Sequence, residues 1–375
     1  MMKMKEMMMP VMALCASAVL AASCGKETPV DVRNDEAIGF AAPSVVTKTL
    51  IREASQMREG FSVFASRYVL DEASSAMTKH EVFMNNLKVY FSDGEWIYDG
   101  QPYYWSPDAY HKFFGVYPYH DASSDENDLG LVYEIDEERH ALRVKGTGTD
   151  GAVHAGTEEK DGSIVNICPD IVFATVGSIY HSVGDVHDKV VFDMEHACAA
   201  LTFRIRNVSG KDIRSVQSPA GGNVAISGLY DTAKLLYVSD DGPAWHDPEI
   251  GPAVNYGLSD SPAHSLMLPA IRVGGTDSWK TNETRDWFTA IVIPQDFSAL
   301  EVKTSFVIEF DDSNSSTPEY DVTLSDIPVN TTTASERYTY LPGVHYIYSL
   351  EVTDTDITCD VRIVPWIEDE PIILT

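Results

Sequence analysis

From residue 61 onward, short alternating apolar runs recur at regular intervals, each bounded by Gly, Pro, Asn or Asp turns, and no 3.6-residue period persists through three capped turns. Residues 61–70 (FSVFASRYVL) and 201–208 alternate most cleanly, as half-buried strands do. Between them, strands at 82–91, 95–98 and 112–117 are separated by turns at Ser92-Asp-Gly-Glu and Asp99-Gly-Gln-Pro102 and read as a meander with an aromatic core. Residues 121–130 read as an acidic loop, 131–144 as a hairpin, 146–162 as a polar, Gly-rich excursion, and 164–167 and 171–176 as strands that close the first half. Further strands follow at 224–229, 233–238, 266–271, 287–293, 302–310, 321–327, 345–352 and 360–366. Only 55–58 and 195–201 leave room for a helical turn. Evenly spaced short strands with such turns predict an all-β chain of sandwiches, not an α/β fold.

A chain of 375 residues favours two domains. The polar stretch 178–188 marks the expected boundary, giving an N-terminal β-sandwich over 37–185 and a C-terminal one over 186–375. With 44% hydrophobic and 10% aromatic residues the chain can bury a sizeable core. Its formal net charge of −30 repels phosphate backbones and anionic surfaces, which excludes nucleic acid as a partner class.

The first 26 residues carry an address. Lys3 and Lys5 form a positive head, residues 7–22 are uncharged and apolar, and Leu20-Ala-Ala-Ser23 leads into Cys24. This is the layout of a signal peptide, 1–23, and its apolar run, 7–22, is shorter than the roughly 20 residues a membrane-spanning helix needs. The small residues before Cys24 resemble the lipobox of bacterial lipoproteins, in which the cysteine is acylated and the preceding peptide removed. Several acyl chains on one residue would anchor the mature chain stably to an outer membrane. The alternative is an ordinary signal peptide cut near Ala22, with Cys24 a spare thiol. Residues 24–36 read as a polar tether, 37–46 (AIGFAAPSVV) as a strand, and 47–59 as an exposed linker whose Lys48, Arg52 and Arg58 are candidate processing sites. Beyond Cys24, the widely spaced Cys168, Cys198 and Cys359 form no CxxC pair. They read as buried hydrophobes, with one disulfide among them as the alternative.

Several stretches together resemble one family. Glu95-Trp-Ile-Tyr98, Tyr103-Tyr-Trp105 and Lys112-Phe-Phe-Gly-Val-Tyr-Pro118, then Met194-Glu-His196 with the Ala-Leu-Thr-Phe that follows, then Leu341-Pro-Gly-Val-His-Tyr346 with Trp366, are similar to the ordered motifs of the fimbrillin (Mfa-like) proteins of Bacteroidales. The resemblance implies two transthyretin-like β-sandwich domains in tandem, exported as a lipoprotein and serving as stalk, tip or anchor of a surface fimbria in cell adhesion. It also implies assembly with other fimbrial subunits by strand exchange. A protease cuts after Lys48, Arg52 or Arg58, the strand at 37–46 leaves, and a C-terminal segment of another subunit, drawn from 359–375, takes its place. The alternative is an uncut first strand that stays in its sheet.

Enzyme chemistry has no motif to stand on. There is no G-x-S-x-G, the eleven histidines show no H-E-x-x-H spacing, and Gly-rich phosphate loops are absent, so neither a metal nor another cofactor is expected. Glu195-His196 reads as a strand pair whose His is a hydrogen-bonded core residue. In residues 125–130 Leu129 occupies a ligand position of a calcium loop, which leaves a solvated acidic loop. Tyr103, Tyr104 and Trp105 are candidate glycan-stacking residues, the basis of the rival reading as a monomeric surface glycan-binding lipoprotein; as buried packing they need no ligand. A lipoprotein hydrolase is the third reading.

Overall fold

The computed structural model describes residues 37–45, 54–70, 77–121, 130–136, 141–147, 151–233, 235–238, 242–245, 264–272, 279–311, 319–329 and 336–365. Cys24, Lys48, Arg52, Trp366, residues 125–129 of the acidic loop and the last ten residues of the expected donor segment lie outside these. The regular structure of the described chain is almost entirely strand, with short 3-10 turns at Ala54–Met57 and Leu324–Asp326.

The strands Ser44–Val45, Asp193–His196, Val172–His181, Ala109–Tyr117, Phe61–Leu70, Met77–Ser92 and Glu95–Ile97 lie in that order in a seven-stranded sheet. One face carries Phe64, Phe114, Val116 and Phe173, which share a core with Leu131, Leu142, Val144 and Leu235 of a four-stranded sheet. The other face holds Phe61, Val63, Phe113, Trp96, Trp105 and Phe192, a second and strongly aromatic core. Rows of aromatic and β-branched residues, buried on both faces, make this sheet the centre of the first sandwich.

The second sandwich packs the sheet Thr284–Val292, Ala199–Asn207, Val344–Val352, Ile357–Pro365 against a sheet built on Val224–Leu229, Lys303–Phe310 and Ile213–Gln217. Lys303–Phe310 alternates strictly, with Thr304, Phe306, Ile308 and Phe310 buried. Ala199–Asn207 pairs in parallel with Val344–Val352, where Phe203 stacks on Tyr348 at 5.3 Å. The closing motif docks here too. Gly343, at φ 70°, donates its N–H to Cys198 O at 2.9 Å, and Tyr346 Oη accepts from Leu341 N and donates to Thr339 O.

The two sandwiches interlock. Strands beyond the expected break at 185/186 complete the first one: Asp193–His196 pairs with Val172–His181, and Leu235–Val238 lies between Gly242–Trp245 and Ala141–Gly146. Alternation reports which face of a strand is buried but not which strand lies beside it; the expected strand 201–208 is Ala199–Asn207, and where 195–201 left room for a helical turn a bend at 197–198 instead separates it from Asp193–His196 of the first sandwich. The expected polar excursion 146–162 corrects in the same way. Val153 and Ala155 within it are core residues, and Thr157–Lys160 pairs with Ser163–Asn166. That hairpin grips the second sandwich: Asn166 Nδ2 donates to Thr289 O at 3.2 Å, Ile291 N donates to Asn166 Oδ1 at 2.8 Å, and Thr157 Oγ1 donates to Met267 O at 2.8 Å.

Candidate functional site

The first described segment, residues 37–45, is held at the edge of the seven-stranded sheet by bonds on both flanks. On one side Ile38 N donates to Tyr103 O at 2.8 Å, and Tyr98 Oη donates to Ile38 O at 3.0 Å. On the other, Ala41 N donates to Val190 O, Ser44 N to Phe192 O, and Val190 N to Gly39 O, each at 2.8–2.9 Å. Ser44 and Val45 continue in parallel register with Asp193 and Met194, and Ser44 Oγ donates to Asp193 Oδ1. The segment therefore bridges the turn region after Glu95–Ile97 and the run into Asp193–His196, and closes the aromatic core.

Its buried positions change phase along the segment. Ile38 and Phe40 are 1% exposed, and after Ala41 the inward position shifts to the buried Pro43, between the outward Ala42 and Ser44. Phe40 stacks on Phe192 at 6.1 Å and meets Tyr98 edge-on at 5.8 Å. An extended segment whose N–H and C=O groups satisfy an open edge and whose alternate side chains fill apolar pockets is the design of strand addition. Removing it would open the acceptors on Tyr103, Val190 and Phe192, together with the pockets for Ile38 and Phe40.

The pocket floor depends on a missing side chain. A Cβ on Gly115 would stand 3.0 Å from both Phe192 and Met194, so glycine in this central strand lets the edge strand settle onto the sheet. Gly115→Val therefore overpacks the Phe192 seat. We expect a loss of about 1–3 kcal/mol, measured by urea denaturation, with faster protease release of the first segment.

Of the candidate processing residues, Arg58 is described. Its guanidinium lies 4.7 Å from the Phe91 ring centroid, its carbonyl accepts from Phe91 N at 3.1 Å, and its neighbour Met57 is fully buried. A protease needs an extended substrate, and Arg58 instead sits in an anchored turn.

The aromatic triplet divides. Tyr104 is 45% exposed, Tyr103 is half-buried beside Tyr98, and Trp105 is 4% exposed among His111, Phe113, His181 and His187. Trp105 has no face open to a sugar ring, so the stacking platform reduces to Tyr104. Burial keeps His111 neutral, its pKa pushed down to about 4, and its Nε2 accepts from Ser106 N at 3.0 Å. His196 lies in the core, its Nδ1 2.6 Å from Asp170 Oδ1, in a strand whose Glu195 faces solvent.

The C-terminal side is partly committed. Residues 359–365 of the expected donor already form the edge strand Ile357–Pro365, in register with Val344–Val352 from Val344↔Pro365 to Val352↔Ile357. Cys359 and the buried Val361 thus serve their own sheet. Sequence reasoning missed this because a terminal strand has the same alternation whether it pairs within its own chain or with another.

The chain matches the model of a family described as fimbrillin-like over residues 51–366. Among solved structures it is similar to a fimbrial protein from Bacteroides vulgatus, at 14% identity and a TM-score of 0.52, covering 88% of this chain and 99% of that one. It is also similar to a candidate cell adhesion protein from Bacteroides ovatus, at 14% identity, a TM-score of 0.43, and coverage of 82% and 88%. A third is a fimbrial assembly protein from Parabacteroides distasonis, at 12% identity, a TM-score of 0.31, and coverage of 80% and 86%. No curated protein matches.

Proposed function

Because the chain belongs to the fimbrillin-like family, whose members are structural fimbrial proteins and not enzymes, we propose that it is a subunit or accessory of an adhesive surface fimbria, assembled by strand exchange. The carrying observation is the first segment. It is bonded on both flanks, and the fully buried Ile38 and Phe40, with Val45 packed beside them, plug it into the aromatic core. A cut after Lys48 or Arg52 frees that segment together with everything N-terminal to it, including the acyl group proposed at Cys24. The opened edge then accepts an extended segment from another subunit. With 359–365 engaged in its own sheet, the donor reduces to 366–375, which ends in Pro371-Ile-Ile-Leu-Thr375. Uncut, the same molecule would keep Cys24 as a lasting membrane anchor.

The family places the chain at the cell surface. Among the described residues, no helix is long and apolar enough to cross a membrane. Treating the purified protein with an Arg- or Lys-specific protease should give ladders that resist detergent. The new N-terminus should follow Lys48 or Arg52, and Arg58→Ala should leave the cleavage rate unchanged. A clean monomer after cleavage would count against strand exchange, and a start at residue 59 would overturn the choice of sites.

A further inference from the structure

Val172–His181 ends at a lip of the first sandwich, where the chain turns back through Ser182-Val183-Gly184-Asp185. Asp185 N donates to Ser182 O at 3.1 Å and Ser182 N donates to Asp185 Oδ2 at 2.7 Å, so backbone and carboxylate clamp the same turn. Gly184, at φ 93°, supplies the left-handed residue this geometry requires. The turn gathers His181, Asp185 and His187, one ligand-type atom from each lying within 4.8 Å of the others. His181 Nδ1 and His187 Nε2 face each other at 2.8 Å. The Trp105 ring covers them, with its centroid 4.4 Å from His187 and 5.9 Å from His181.

We propose that His181, Asp185 and His187 form a binding site for a divalent transition-metal ion of the zinc class. Two imidazole nitrogens and one carboxylate oxygen are the donors that Zn2+ and its borderline neighbours take, whereas Ca2+ and Mg2+ call for oxygen throughout. Three protein ligands leave a fourth position for water. At 2.8 Å the two histidines are close enough to share one proton in a hydrogen bond; a bound cation takes the place of that proton, which moves to the far nitrogen of its own ring, so that both imidazoles bind as neutral ligands. With metal–nitrogen bonds of about 2.0–2.1 Å, tetrahedral neighbours stand ~3.3 Å apart, so the pair opens by roughly half an ångström. His181 is fixed by complete burial and His187 reaches the solvent side, so His187 supplies the movement. Ser182 N orients the carboxylate, the task a neighbouring donor performs at metal sites generally. The chain's net charge of −30 raises the local concentration of cations. From this turn the chain runs directly into Val190, which pairs with the first segment, so a bound ion braces the strand bordering the docking groove.

The test uses the full chain stripped by a chelator, titrated with Zn2+ by calorimetry and with Co2+ by visible absorption. One equivalent per chain, tetrahedral Co2+ bands and a metal-dependent rise in melting temperature are expected. His187→Ala and Asp185→Asn should each weaken binding at least about tenfold. Asp185→Asn keeps an acceptor for Ser182 N, so it reads the ligand separately from the turn, and circular dichroism verifies that both variants fold. No saturable uptake by the parent protein, or uptake unchanged in both variants, overturns the assignment. Cleavage and ladder formation are scored separately, so failure of the metal site leaves the strand-exchange reading standing.

Discussion

Phe40→Ala should destabilise the first sandwich by about 3–5 kcal/mol, the usual cost of truncating a buried Phe where the site collapses poorly. The ring stacks on Phe192, meets Tyr98 and is 1% exposed, so a cavity opens between an edge strand and a sheet that Gly115 has already brought close. Urea denaturation reads the stability loss, and limited proteolysis at Lys48 reads the segment's release, which should quicken. Ala42→Ser, on the exposed side of the same segment, should change neither. An unchanged urea midpoint in Phe40→Ala would show that the segment contributes little to its sheet and would remove the physical basis for regulated release.

Asp170→Ala should cost a comparable amount, about 3–5 kcal/mol, because it strips the partner from a buried pair. His196 and Asp170 side chains are 0% and 3% exposed, with Nδ1 and Oδ1 2.6 Å apart. The pair stands where the chain passes between sandwiches: Ala197 N donates to Ile171 O, and Gly343 N reaches Cys198 O immediately after. Losing Asp170 therefore takes the carboxylate away from His196 Nδ1 inside the shared core. The double variant Asp170→Leu, His196→Leu should recover much of the loss, since apolar replacement of both partners removes the desolvation penalty. Differential scanning calorimetry of the two variants separates these outcomes. A single substitution as mild as the double one would mean that water reaches the site.

Much of the architecture was legible because β-structure writes its faces into the sequence. The strands Phe61–Leu70, Ala199–Asn207 and Lys303–Phe310 stand where their alternation places them, and the turn glycines Gly94, Gly100 and Gly343 adopt the positive φ that punctuates them. What alternation cannot encode is partnership. The pairing of Leu235–Val238 with Ala141–Gly146, and the capture of residues 359–365 by their own sheet, are long-range choices made by packing. The first segment's role was visible in outline, but the seat provided by Gly115 needed the fold, because residues 115 and 192 meet only in three dimensions. The His181, Asp185 and His187 cluster was closer to hand. Its spacing, H-x3-D-x-H, matches no familiar metal motif, yet three ligand types within one tight turn is a signal a local scan could have caught.

The interleaving of the two sandwiches bears on how such a molecule carries force. A chain with one linker between its domains yields by straightening that linker. Here the path leaves the first sandwich, returns to it as Leu235–Val238 between two other strands, and leaves again. Drawing the halves apart must strip that strand, with its hairpin partner Gly242–Trp245, from Ala141–Gly146 and break four rungs of sheet pairing, where a simple linker would only extend. The hairpin 157–166 grips the second sandwich across the same boundary. A surface fibre built of such units would stretch little before it fails, and its weak points would be the joints between subunits, not the joint inside each.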